Sequence, residues 1–96
     1  MVRVRLHPEA VAEARAARRW YAERDPQVGA AFMDELDRAV ALVARMPRTW
    51  PSFEAGTRRV LFKRFPYYLI YRERDDAVEV VAVMHARRYP GYWRHR

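Results

Sequence analysis

The chain has no cysteine. Disulfide staples and thiolate chemistry are therefore excluded, and a reducing cytoplasm is the expected compartment. Histidine is scarce: His7, His85 and His95 lie far apart without metal-ligand spacing, so neither a metal site nor a cofactor is expected. No stretch approaches the roughly 20 apolar residues that cross a bilayer, and no signal-peptide-like segment opens the sequence. A membrane partner is not expected. Lys63 is the only lysine, so almost all the positive charge is arginine. Repeats, low-complexity segments and linkers are missing too, and residues 1–96 read as one domain.

What is present is enough for a core. Hydrophobic residues make up 51% of the chain and aromatics 14%, which excludes a disordered segment. The net charge is +7, unevenly spread. Residues 1–46 hold eight Lys or Arg against seven Asp or Glu, a net of +1, whereas residues 47–96 hold eleven against five, a net of +6. The second half is the one that attracts phosphate or an acidic protein segment.

"VRVRL" (Val2 to Leu6) alternates as a half-buried strand does. Pro8 suits a first helical position, with Glu9 and Glu13 at the positive end of a helix that runs to about Glu23. Ala10, Ala14, Ala17 and Tyr21 form a small-residue stripe that lets another helix approach. Asp25 can cap, and Pro26 can start, a second helix. In it Val28, Phe32, Leu36, Ala39, Val43 and Met46 recur at helical spacing until Pro47 ends it. Asp34, Glu35 and Asp37 read as its solvated side, with basic groups on a partner as the alternative. Residues 47–57 form a loop. Strand-like segments follow at Arg58 to Lys63, Tyr67 to Glu73 and Val78 to Ala86, and short turns between them imply an antiparallel meander. The fold class is α+β: a helical hairpin on one face of a small, mainly antiparallel sheet, in the order strand-helix-helix-strand-strand-strand. The place of the first strand in the sheet stays open, and the other sheet face is expected to be partly uncovered.

That open face carries the candidate site. If Val60 and Phe62 pack under the helices, Arg59 and Lys63 project to the uncovered side. Val81, Val83 and His85 are expected to share one face of the last strand, followed by Arg87, Arg88 and Tyr89. No acid occurs after Glu79. Three readings compete. The face is merely solvated, with Tyr89 and Trp93 folded back on the core; or it binds nucleic acid, with cations on phosphates and rings on bases; or it cleaves RNA, with His85 as acid or base and Arg59, Lys63, Arg87 and Arg88 holding the phosphate. Trp20, Trp50 and Phe53 read as core or loop packing.

Several fragments resemble one family in their order and spacing. They are "WY" ending the first helix, "F-x-x-E-L" in the second, "MPRTWP", "RRVLFKRFPYYLIY" across the meander and "AVMHARRYPGYW" at the end. Together they are similar to the RelE/ParE superfamily of toxins from type II toxin–antitoxin modules. The resemblance implies a cytoplasmic toxin neutralised by a cognate antitoxin. A RelE-like member would be a ribosome-dependent, metal-free mRNA endonuclease acting on ribosome and mRNA. By position His85, Arg59, Lys63, Arg87 and Tyr89 would then be catalytic, with Glu54 a possible carboxylate base. A ParE-like member would inhibit DNA gyrase instead. A third possibility is an inactive relative that only binds its antitoxin. Arg58, Arg64, Arg88, Tyr92, Trp93 and Arg94 would contact target or antitoxin. The "A-V-x-H-x-R-R-x-P-x-Y-W" ending resembles the ParE-like side. Pro90 and Gly91 also disfavour a continuous C-terminal helix carrying the tyrosine.

Overall fold

A computed structural model describes residues 2–96. Strand β1 (Arg3–Leu6) leads into α1 (Pro8–Arg24) and α2 (Pro26–Arg45), followed by β2 (Arg58–Leu61), β3 (Tyr67–Arg74) and β4 (Ala77–His85). The helix boundaries have local causes. His7 Nδ1 accepts from the Glu9 amide at 3.1 Å and caps α1, with Pro8 as its first residue. Asp25 serves both helices: its amide donates to the Tyr21 carbonyl at the end of α1, and its Oδ1 accepts from the Gln27 amide at the start of α2. A one-residue joint makes a tight hairpin, and Gly29 permits it. A Cβ on Gly29 would stand 2.6 Å from the Ala22 Cβ.

The sheet order is β1-β4-β3-β2. The meander is antiparallel, and β1 pairs in parallel with β4 over Ala77 to Val80, which settles the place of the first strand. The β3–β4 turn is a two-residue hairpin in which Asp75 and Asp76 both have positive φ, 53° and 61°. Short polar side chains tolerate that conformation, and it matches the twist of the strands. The two helices lie on one face. Ala10, Ala14 and Ala17 from α1 and Phe32, Leu36, Ala39 and Val43 from α2 pack with Val60, Phe62, Leu69, Tyr71, Val78, Val80 and Val83. Phe32 is the hub of the rings, with centroids 5.2–5.7 Å from Tyr21, Phe62, Phe65 and Tyr67.

Several sequence expectations need correction. The strand pairing shifts register between Ile70 and Tyr71, so that Val81 is an extra residue on β4. A bulge reverses the side-chain alternation beyond it. Val81 therefore packs with Ala82 and Met84 on the face away from the helices, whereas Val83 stays under them. Val81 and Val83 do not share a face. Nor is that second face open. Ile70, Val81, Ala82 and Met84 are covered by Trp93, with Phe53, Tyr68 and Tyr92 around it. Trp20 is no core residue: it is 52% exposed, with the Arg24 guanidinium 3.4 Å from its ring centroid. Strand β2 ends at Leu61, so Lys63 lies beyond it in the loop.

Glu35 departs furthest from its solvated assignment, being only 6% exposed. Its carboxylate accepts from the amides of Lys63 at 2.5 Å and Arg64 at 3.1 Å, and from Arg38 Nη2 at 2.6 Å. Burial alone would raise its pKa, but these donors outweigh burial and hold it below the usual carboxylate value. A single acid thus ties α2 to the β2–β3 loop.

Candidate functional site

The second sheet face places the tail. Trp93 is 0% exposed and stacks on Phe53 with centroids 5.5 Å apart. It fills the core and offers no surface to a partner, which corrects its assignment as a contact residue. Tyr92 packs edge-on against Trp93, and both Arg88 and Arg96 place guanidinium groups over the Tyr92 ring, at 3.7 and 5.0 Å. The Trp93 Nε1 is buried without a hydrogen-bond partner, and the Tyr92 hydroxyl is buried beside the Glu13 carboxylate without a well-formed hydrogen bond to it. Burial, with the nearby Glu13 carboxylate, pushes the Tyr92 pKa strongly up.

Glu13 anchors this tail. Its Oε1 accepts from the Val83 amide at 3.0 Å and Arg96 Nη1 at 2.9 Å. Its Oε2 accepts from Arg88 at 3.2 Å and Arg96 Nη2 at 3.1 Å. Arg96 also donates to the Val81 carbonyl at 2.9 Å. The reason lies in the sheet. Strand β1 pairs only as far as Val80, so the next stretch of β4 has no strand beside it, and the Glu13 and Arg96 side chains take the place of one. The Arg96 carbonyl in turn accepts from Arg72, itself paired with Glu79 at 2.7 Å. From sequence Glu13 reads only as a helix-start acid, and nothing marks Arg96 as its partner. The available signal was an acid on the rim of the buried Ala10–Ala14–Ala17 stripe, where a charge needs a partner.

The predicted site residues fall into separate settings. His85 ends β4 half-buried; its Nδ1 accepts from the Arg87 amide at 3.0 Å, and its ring meets Tyr67 edge-on at 5.1 Å. It opens on a groove of about 500 Å³ between α1 and the end of β4, lined by Ala16, Ala17, Trp20, Tyr67 and Arg88 among others. Glu54, Tyr89, Tyr92 and Arg94 line a different cleft of about 530 Å³. Arg94 and Glu54 approach at 3.5 Å, and Tyr89 is 86% exposed. Arg59 sits between two rings, 4.4 Å from the Phe53 centroid and 4.7 Å from that of Tyr68. Arg58 donates to the Trp50 carbonyl at 2.6 Å and is tied into the fold. Lys63, Arg64 and Arg87 are exposed and form no ion pair among the described residues, though the Arg64 guanidinium lies 6.0 Å from the Phe65 ring. No hydrogen bond or ring contact joins His85 to Arg59, Lys63 or Tyr89 among the described residues.

A helical hairpin on a four-stranded mixed sheet, with a cationic tail sealing the far face, defines a class of small basic α+β proteins. Residues 4–90 match the family described as the ParE toxin of the type II toxin–antitoxin system, parDE, and the chain belongs to that family. The fold is similar to a solved chain of the chromosomal ParDE toxin–antitoxin system from P. aeruginosa. The TM-score is 0.78 at 16% identity, covering 88% of this chain and 96% of that one. No curated protein matches the sequence. The chain is a type II toxin-family protein. Among the described residues no helix is long and apolar enough to cross a membrane.

Proposed function

We infer that the chain is a growth-inhibitory cytoplasmic toxin that acts on DNA gyrase and is silenced by a cognate antitoxin. Membership of the ParE family supports the gyrase branch. The observation that carries the choice is the setting of His85. One ring nitrogen is engaged by the Arg87 amide, and although Arg88 lines the same groove, Arg59, Lys63 and Tyr89, which would have to act with His85 in RNA cleavage, make no contact with it among the described residues. General acid–base chemistry needs the acid, base and phosphate-holding cations within reach of one reacting group. The exposed Trp20 and the apolar groove beside it support the antitoxin half of the reading. A neutralising segment that covers such a surface would also stabilise a small fold by mass action.

A second reading, mRNA cleavage at the ribosome, draws on the cleft where Glu54, Arg94 and Tyr89 meet, a carboxylate beside a cation and a free ring. Pulse labelling after induction without antitoxin separates the two. An early fall in thymidine incorporation, with methionine incorporation intact, is the expected result. The reverse order would move the target to translation.

A further inference from the structure

The tail-side face carries a continuous series of rings flanked and interrupted by guanidinium groups. Tyr68, Arg59 and Phe53 stack in turn, and Phe53 packs on Trp93 and Trp93 on Tyr92. Arg88 then stacks on Tyr92. Arg59 makes no ion pair, so its stacked guanidinium keeps N–H donors for an outside acceptor. Beside this series Arg94 has only the 3.5 Å approach to Glu54, and Tyr89 is almost fully exposed. The acids here are Glu13, Glu54 and Glu79, and each already faces an arginine.

We propose that this face binds single-stranded DNA directly, with Arg59 and Arg94 on backbone phosphates and Tyr89 stacked on an unpaired base. A guanidinium held between two rings has lost part of its rotational freedom before the ligand arrives, and its remaining N–H donors suit a phosphate. A free aromatic ring beside such cations is what an unpaired base stacks on, whereas a duplex has no base to offer it. The choice of DNA over RNA rests on the gyrase reading; the choice of a nucleic acid rests on the face alone.

Fluorescence anisotropy of the purified chain tests this, using labelled single strands of about 12 nucleotides. DNA, RNA of the same sequence and the corresponding DNA duplex form the three arms. The single-stranded DNA is expected to bind best, weakening about sevenfold between roughly 50 and 200 mM salt for two phosphate contacts. Arg59→Ala with Arg94→Ala should weaken binding about tenfold or more and flatten the salt dependence. Arg15→Ala with Arg18→Ala, an equal charge loss on exposed positions of α1, should change it less than about twofold. Tyr89→Ala should cost about fivefold or more. If the Arg59 variant melts below the assay temperature, Arg94→Ala with Tyr89→Ala, both exposed positions, carries the same test. No binding, equal loss in both arginine pairs, or a duplex bound as tightly as the single strand would each overturn the proposal. Tighter binding of RNA would overturn the choice of DNA. Gyrase inhibition without oligonucleotide binding would leave the proposed function standing and this inference wrong.

Discussion

The two faces of the sheet are closed by different means. On one side, two amphipathic helices cover the strands through many apolar residues; Glu35 there is bound by three donors, while the Trp50 Nε1 is buried without a partner. On the other side one indole does most of the covering. Its own nitrogen lacks a partner, and the segment is held to α1 chiefly through Glu13. Buried unpaired polar groups cost about 1–3 kcal/mol each. Covered by two helices, the helix face should open only with global unfolding, whereas the tail face, resting on fewer apolar residues and tethered at one acid, should open first, as a local unit.

The largest effect should come from the helix side. Phe32→Ala removes the hub of the ring cluster and should cost about 4 kcal/mol by denaturant titration, lowering amide protection throughout the molecule. Trp93→Ala should cost about 3 kcal/mol, with faster exchange concentrated in the tail and in the strand residues beneath it. Equal loss of protection in the helices would break the comparison, because the two faces would then form one cooperative unit.

Glu35→Gln should cost about 2 kcal/mol at neutral pH, since the carboxylate is the better acceptor for two amides and a guanidinium. Its folded pKa is lowered, so this contribution is fully present above the ordinary carboxylate pKa of about 4.3 and is lost as pH falls through the lowered folded value. Melting curves of wild type and variant should converge in acid; a gap independent of pH would show that charge is not the cause. The smallest effect is expected for Glu13→Gln. Tail amides should exchange about tenfold faster, roughly 1.4 kcal/mol, with the helices unchanged.

The same contrast explains what could be read from sequence. Helix starts and stops were legible because Pro8, Asp25, Pro26 and Pro47 act locally, and the apolar stripe of α2 has one dominant period. The strands were legible to within a few residues for the same reason. The parallel pairing of β1 is a contact between chain-distant segments, with no local signature. The bulge at Val81 hid inside an unbroken apolar run, where a change of alternation leaves no polar residue out of place. Glu35 sits between Asp34 and Asp37, and only the β2–β3 loop distinguishes it from them. The candidate site was legible as a composition of cations and rings around His85 and the tail. Its division into two clefts was not, because that depends on Trp93 turning inward and on Glu13 reaching across from α1.

The proposed action on gyrase needs no catalysis by His85. It is tested most directly by adding purified wild type and His85→Ala chains to a DNA gyrase supercoiling reaction. Both are expected to inhibit, the variant to within about threefold, the small loss reflecting the missing hydrogen bond to the Arg87 amide. A wild-type chain that leaves supercoiling untouched, or inhibition that vanishes with His85 while the fold is retained, would contradict it.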